Sequence, residues 1–502
     1  MSGRRASASR VHRYTATAMV MMSEKQPKIP EGRTPFSSAF KKFICEDWAP
    51  YSDQLPRTLD SSASAANHRR DIAAQFPGER LVVPAGSYKQ RNNDCDYPYR
   101  PHTAFTHLTG LGTDREPDAV LLIEPDGEAK LYFHPRAPRT DPEFYASSRY
   151  GEMWVGQRDS LEEMSARCAI PTLDIRGFAD ALSAGNVPLR VVREADPAVT
   201  AKVDDTRGSS QLERDAQLAT ALSELRLVKD DWELDQLREA CRVSALAFED
   251  VVSNFDKAVE YGHGERWIEG IFGLHARHEG NAVGYDTIAA AGDHANTLHW
   301  VKNDGPLRDG ELVLMDAGIE IDSLYTADIT RTMPVGGSFS TPQRQVYDAV
   351  RASQQAGMDA AKAGAGFIDV HNAAVRVLAE TFSDWGILPV SADEALSPQG
   401  GQWRRWMVYG TSHHLGLDVH DCAQARVENY RKGTLRAGMV ITVEPGIYFK
   451  STDLKVPPEL RGIGVRIEDD IVITATGCEI LSSHLPRESQ AVEDWMRGIV
   501  RS

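Results

Sequence analysis

Two rhythms of apolar and polar positions run along this chain. From Asp231 onward, Leu234, Leu237, Cys241, Ala245 and Phe248 recur at spacings of three and four. That is the one-faced pattern of an amphipathic helix, and Asp230 or Asp231 can cap its start. The same rhythm predicts helices over residues 343–361 and 368–382, and a short helix from 37 to about 48. The other rhythm is that of strands. Leu81-Val82-Val83-Pro84 is a short apolar run, and residues 119–123 and 129–134 flank Glu124-Pro125-Asp126-Gly127, the turn chemistry of a hairpin. Two further strand candidates with helical segments between them lead to about residue 192, so the first half reads as a mixed α/β domain. Residues 194–213 are charged, poor in large apolar side chains and end in Gly208-Ser209-Ser210, which reads as a loop or linker. Beyond it, strands are expected over 311–316, 325–333, 439–444 and 464–473. Strands and helices without a regular βαβ repeat make the fold class α+β.

Composition narrows the picture. The chain has 502 residues, 41% of them hydrophobic and 25% charged. That length suits two or three domains with an ordinary core. No apolar run approaches the roughly 18 residues of a membrane span. The formal net charge is −16, from 72 acids against 56 bases, which argues against a nucleic-acid partner because phosphates repel an acidic surface. The six cysteines (Cys45, Cys95, Cys168, Cys241, Cys422 and Cys478) form no CxxC pair. A disulfide framework is not expected, and a reducing cytoplasm is. Residues 1–21 differ from the rest, with Arg4, Arg5, Arg10 and Arg13, no acid, and much Ser, Ala and Thr. They lack the apolar stretch of a secretory signal. They read as part of a disordered tail covering 1–35, with a transit peptide or a start at Met22 as the alternatives.

The candidate chemistry lies in acids that interrupt apolar strands. Asp316 ends Leu312-Val313-Leu314-Met315, and Glu444 ends Val440-Ile441-Thr442-Val443. Glu468, Asp469 and Asp470 break Val465-Arg466-Ile467 from Ile471-Val472, and Asp328 sits in Tyr325-Thr326-Ala327-Asp328-Ile329. A buried unpaired carboxylate is costly, so four in one domain require compensation by Arg or by metal. Asp316 and Asp328 have hairpin spacing and can meet on one face. Arg466 and Glu468, two apart in a strand, would share a face, the arginine holding the acids ionised. The segment from Ser412 to Asp421 adds His413, His414 and His420 between glycines. One histidine with four carboxylates makes an oxygen-rich site that suits Mn²⁺, with Zn²⁺, Co²⁺ and Fe²⁺ as alternatives, and two divalent ions would neutralise the four acids.

These residues stand in blocks that resemble a known family. RNNDCDYPYR (91–100), FTHLTG (105–110), YDTIAAAGDHANTLHW (285–300), LMDAGIEIDSLYTADITRTMP (314–334), SHHLGLDVHD (412–421), TVEPGIY (442–448) and GIGVRIEDDIVIT (462–474) follow one another as in aminopeptidase P, the Xaa-Pro aminopeptidase of the pita-bread metallopeptidases. The resemblance spans about residues 36–493. It implies an N-terminal accessory domain over 36–225 and a catalytic pita-bread domain over 226–502. It implies removal of the first residue from peptides with proline second, by attack of a hydroxide bridging two divalent metals. Position by position it implies Asp316, Asp328, His413, Glu444 and Glu468 as ligands, with Glu444 also the general acid/base. His299 and His420 would bind substrate and assist proton transfer, and Arg466 would support the acids. A family histidine is replaced by Tyr409, a substrate-side position that cannot carry positive charge. Asp94 and Trp154 resemble residues that reach the active site of a neighbouring copy, implying a homodimer or homotetramer. The loop between Asp316 and Asp328 is one residue longer than usual. Two other readings stay open here. One is a prolidase acting on Xaa-Pro dipeptides, and the other a pita-bread binding protein whose catalysis Tyr409 has weakened.

Overall fold

The computed structural model describes residues 35–113 and 116–500. The arginine-rich segment 1–21, and the tail assigned to 1–35 apart from Pro35, lie outside the described residues. The chain forms two compact units, the smaller comprising 35–51, 92–95 and 136–158. Three short helices, Ser38–Phe43, Glu143–Ala146 and Glu152–Val155, build it. The Ser37 side chain accepts from Phe40 N at 3.1 Å and starts the first of them. Aromatic edges hold the unit together: Phe36 and Phe40 both meet Tyr145 edge-on, and Trp48 meets Phe144 at 5.4 Å.

The larger unit begins with helix α1 (Ser62–Gln75) and a five-stranded sheet. Its strands are β1 (Arg80–Pro84), β2 (Val120–Ile123), β3 (Ala129–Phe133), β4 (Thr172–Asp174) and β5 (Leu189–Val191), in the order β4-β3-β2-β1-β5. β2 and β3 form the expected hairpin, turning at Gly127, whose φ of +88° suits glycine. Helix α2 (Thr103–Thr109) is buried throughout. The linker expected over 194–213 is instead largely helical. Helix α3 runs Pro197–Arg207, with the Asp196 side chain capping Ala198 N and Val199 N, Pro197 in its first turn and Gly208 in the left-handed position after it. Val199 and Val203 are buried, and this small apolar face is what a reading based on large hydrophobic residues overlooks. Helix α4 (Leu212–Leu225) follows.

The rest of the unit is organised around a buried apolar strand. Helix α5 (Asp231–Ser253) has a capping box, with Asp230 and Glu233 each accepting from the other's backbone N–H. Its inner face is Leu237, Cys241, Ala245 and Phe248. Helix α6 (Gly264–Glu279) packs beside it. Strands β6 (Ala282–Val283), β7 (Ile288–Ala291), β8 (Leu312–Ala317), β9 (Ile319–Glu320) and β10 (Ile329–Pro334) come next. β8 lies between β7 and β10, and every residue of it is buried. Helices α7 (Thr341–Ala360) and α8 (Phe367–Asp384) pack on one another through Val346, Val350, Val375 and Leu378. The closing strands are β11 (Val440–Val443), β12 (Gly446–Tyr448), β13 (Gly464–Arg466), β14 (Asp469–Ile473) and β15 (Cys478–Ile480), before the last helix, Ser489–Val500. The strand expected over 325–333 starts only at Ile329, and the one over 464–473 is two strands with a step at Ile467-Glu468. Among the described residues no helix is long and apolar enough to cross a membrane.

Candidate metal centre

Chain geometry brings the acids of these broken strands to one place. β8 ends just past Asp316, and Gly318 follows. A Cβ at Gly318 would run into the Ala327 carbonyl, so glycine lets the returning strand close in. β10 then pairs antiparallel with β8, Asp316 opposite Thr330, and Asp328 stands just ahead of the pairing. The Tyr285 hydroxyl lies 2.6 Å from Asp316 Oδ1 and 2.6 Å from Asp328 Oδ1. Its single proton can serve only one of them at a time.

Glu444 and Glu468 occupy matching steps on neighbouring strands. Val443 pairs with Asp469 on one side of the step, and Gly446 with Arg466 on the other. Pro445 cannot donate to the ladder, which helps to end β11 at Glu444. Because β13 stops at Arg466, the expected sharing of one strand face by Arg466 and Glu468 does not occur; the two meet instead through Thr330. Thr330 Oγ1 donates to Glu468 Oε2 at 2.6 Å and accepts from Arg466 Nε at 3.2 Å. Arg331, 1% exposed, fastens the backbone here, donating to the Glu468 carbonyl at 2.6 Å and to Asp469 Oδ1 at 2.7 Å.

His413 comes from an extended segment running beside β11, where Thr442 N donates to its carbonyl at 3.0 Å. Its Nε2 is 3.2 Å from Asp328 Oδ2 and 3.7 Å from Glu444 Oε1. Its Nδ1 faces the His414 carbonyl at 3.2 Å, the arrangement that leaves Nε2 free to present a lone pair. One donor atom from each of Asp328, His413 and Glu468 falls within 4.8 Å of the others. His414 points elsewhere, its ring 4.6 Å from Tyr430.

The electrostatics show an acidic surplus. Arg466 donates to Asp316 Oδ2 at 2.5 Å and to the Tyr448 hydroxyl at 2.8 Å. Burial, reinforced by Asp328, Glu444 and Asp316, pushes Glu468 well above the usual carboxylate range. Burial lifts Glu444 to about 8, with His413 opposing and Asp328 adding to the rise. Asp316 is also raised by burial, which Arg466 only partly offsets. Asp328 goes the other way: burial works against its charge, but the His413 imidazole beside it holds it below the usual value. Burial likewise disfavours the His413 cation, yet Asp328 and Glu444 lift it to about 9. Four carboxylates faced by one guanidinium and one imidazole leave negative charge that divalent ions would match. Oxygen donors with a single nitrogen suit such ions, so the residues fit a metal centre.

The other sequence-predicted residues lie at varied distances from this core. The exposed His420 ring is 4.4 Å from that of His413, edge-on. Burial of part of its ring, then the charges of His413 and His299, lower its pKa. His299 is exposed, in the segment after the 3₁₀ turn Gly292–Asn296. The Tyr409 hydroxyl donates to the Glu444 carbonyl at 2.9 Å and lies 2.7 Å from the Tyr448 hydroxyl. Asp94 and Trp154 belong to the smaller unit. There both are exposed, and Trp154 Nε1 donates to the Tyr145 carbonyl at 2.8 Å.

Sequence reading assigned no role to Tyr285, Thr330 or Glu265. Glu265 is fully buried at the start of α6, where a first-turn acid looks ordinary. It accepts from Ala291 N at 2.8 Å, Trp300 Nε1 at 2.9 Å and Gly305 N at 2.6 Å, and lies 2.8 Å from His294 Nδ1. These contacts pin both flanks of the segment that carries His299.

Comparison with known proteins gives the class of this chain, a metallopeptidase. The model of metallopeptidase family M24 matches residues 235–475, and that of the aminopeptidase P N-terminal domain matches residues 65–184. Xaa-Pro aminopeptidase 1 of Streptomyces coelicolor is 48% identical over 496 residues, covering 95% of this chain and 99% of that protein. The Xaa-Pro aminopeptidase of Escherichia coli is 32% identical, covering 84% and 94%. The solved structure of Pseudomonas aeruginosa aminopeptidase PepP superposes with a TM-score of 0.77 at 29% identity, over 89% of this chain and 100% of that one. The chain belongs to the aminopeptidase P family.

Proposed function

We propose that Asp316, Asp328, His413, Glu444 and Glu468 hold two divalent ions, and that His299, His420 and Arg466 complete a catalytic site around them. The enzyme is a metal-dependent exopeptidase that releases the first residue from peptides with proline in the second position. The observation that carries the residue assignment is the convergence of four carboxylates and His413, with fewer cations around them than their charge requires. When bound, the ions supply Lewis acidity, activating water at neutral pH and polarising the scissile carbonyl.

The chain's own groups do the rest. Glu444, whose Oε1 lies 3.7 Å from His413 Nε2, would take a proton at its carboxylate and deliver it to the proline nitrogen. That nitrogen belongs to a tertiary amide and must be protonated to leave. Arg466 keeps the Asp316 charge in place and orients it through Thr330 and Tyr448. His420, exposed beside His413, and His299, exposed and near enough for its charge to act on His420, would donate to the substrate carbonyl as it gains negative charge. Tyr409 steadies the backbone at Glu444, which leaves the family's missing histidine without a charged replacement.

Mn²⁺ is the metal we assign, from the hard oxygen-rich donor set. The cysteine pattern supports a cytoplasmic setting. We read 36–225 as an accessory domain and 226–502 as the catalytic one. Asp94 and Trp154 we assign to the active site of a neighbouring copy, in a homodimer or homotetramer. Assay of Arg-Pro-Pro against Gly-Pro with the metal-loaded protein tests the substrate class. Release of Arg from the tripeptide is expected, and hydrolysis of the dipeptide alone would make the enzyme a prolidase.

A further inference from the structure

A second cluster of metal-ligating side chains lies in the larger unit, apart from the five residues above. It draws on three helices: His68 of α1, His107 of α2 and Glu233 of α5, all buried. One donor atom of each lies within 4.8 Å of the others. The Nε2 atoms of both histidines face one carboxylate, His107 at 3.3 Å from Glu233 Oε1 and His68 at 3.6 Å from Glu233 Oε2. A second carboxylate oxygen, Asp230 Oδ2, stands 3.3 Å from His68 Nε2.

The His107 side chain is 1% exposed, yet neither of its ring nitrogens makes a directed hydrogen bond. Leaving such a buried polar group unpaired costs about 1–3 kcal/mol. A cation on Nε2 would give that nitrogen a partner and hold the ring proton at Nδ1. The surroundings are those of a ligand set. His68 Nδ1 lies 3.0 Å from the His107 carbonyl, which fixes its tautomer and leaves Nε2 for a metal. Tyr325 donates to Glu233 Oε1 at 2.7 Å, Asp230 N donates to Glu233 Oε2 at 2.8 Å, and Ser64 donates to Asp230 Oδ2 at 2.5 Å. The two imidazoles stack with centroids 3.8 Å apart, so they do not both carry positive charge comfortably. With one of the stacked rings cationic, Asp230 and Glu233 leave the cluster with one net negative charge. A cavity of about 520 Å³, lined in part by Ser64, His68, His107, Trp232 and Tyr325, opens onto the cluster and gives ion and water a route in.

We propose that His68, His107, Glu233 and Asp230 form a separate site for one zinc-class divalent cation. Two imidazoles with carboxylates are a zinc-type donor set, richer in nitrogen than the five-residue centre. Binding displaces the His68 proton to solvent: a dication enters and one H⁺ leaves, so the cluster goes from one negative charge to neutral. The ion would clamp the α/β elements α1 and α2 to the first turn of α5.

The test uses the holoenzyme dialysed against buffered Zn²⁺, with metal per chain measured by mass spectrometry. His107→Phe, which keeps a flat ring of similar size, is expected to hold one zinc fewer than wild type while peptidase turnover stays within about twofold. Equal zinc content in the two proteins would overturn the site. Anomalous diffraction at the zinc edge from wild-type crystals decides the matter even if the variant does not fold. A peak bounded by His68, His107 and Glu233 supports the proposal, and its absence while the five-residue centre is filled overturns it.

Discussion

Two clusters of acids in this protein are treated in opposite ways. In the α/β part, Asp204 of α3 and Asp215 of α4 are each bonded by both Arg193 and Arg207, at 2.6–3.0 Å. The two arginines hold Asp204 down to about 2, and they overcome the burial of Asp215 to hold it low as well. At the strand steps, four carboxylates share Arg466 and His413, and Glu444 and Glu468 are driven up. A structural cluster carries its own cations. A functional one withholds them, so that the stabilising charge arrives with the metal.

The sharpest way to break this contrast is to remove a ligand. Asp328→Asn should lower turnover by more than the roughly 10–100-fold typical of changes to groups that merely support a metal ligand. Steady-state assay beside metal analysis checks this, and near wild-type turnover with full metal content would dissolve the distinction. Glu265→Gln comes next. It keeps the side chain's size but loses an acceptor in the hub that holds the His299 segment, and kcat/KM should fall roughly tenfold. An unchanged value would show that the hub only stabilises the fold.

pH separates the clusters by sign. Asp204 titrates lower folded than unfolded, so its contribution is present above its ordinary value of 3.8 and is lost as pH falls toward about 2. Glu444 titrates higher folded than unfolded, so in chelator-treated protein its burial favours folding below 4.5 and opposes it as pH rises toward about 8. Denaturant unfolding across pH should therefore show acid loss that Asp204→Asn reduces. It should also show a decline toward pH 8 that metal loading removes. A chelated protein whose stability is flat or rising there would contradict the surplus of acid.

The smallest effect is expected at Tyr409. Removing its hydroxyl in Tyr409→Phe severs one bond to the Glu444 carbonyl and one contact with Tyr448, a loss of about 0.5–1.5 kcal/mol and so a few-fold in kcat/KM. A loss of a hundredfold would move Tyr409 from support into the reacting site.

How much of this could be read in the sequence follows from what each signal measures. Periodicity finds elements with large buried faces, so α5, α7, α8 and the hairpin of β2 and β3 were legible, as was the α+β class. It passed over α3, whose buried face is only Val199 and Val203, although Asp196-Pro197 and Gly208 were proper start and stop signals. Acids set in apolar runs marked Asp316, Glu444 and Glu468, because burial of charge is anomalous. The same signal could not show that β13 and β14 are separate strands, since the step at Glu468 depends on pairing with the step at Glu444. Nor could it find Glu265 or Tyr285. A first-turn glutamate and a tyrosine are ordinary in sequence, and only tertiary closure surrounds Glu265 with donors or sets one hydroxyl between two aspartates.

On the proposed assignment, the unbalanced acids are matched by metal that works. Adding Mn²⁺ stepwise to chelator-treated protein while following release of Arg from Arg-Pro-Pro tests this most directly. The activity should start near zero and level off at two equivalents per chain. Full activity before any metal is added, or none after saturation, would contradict it.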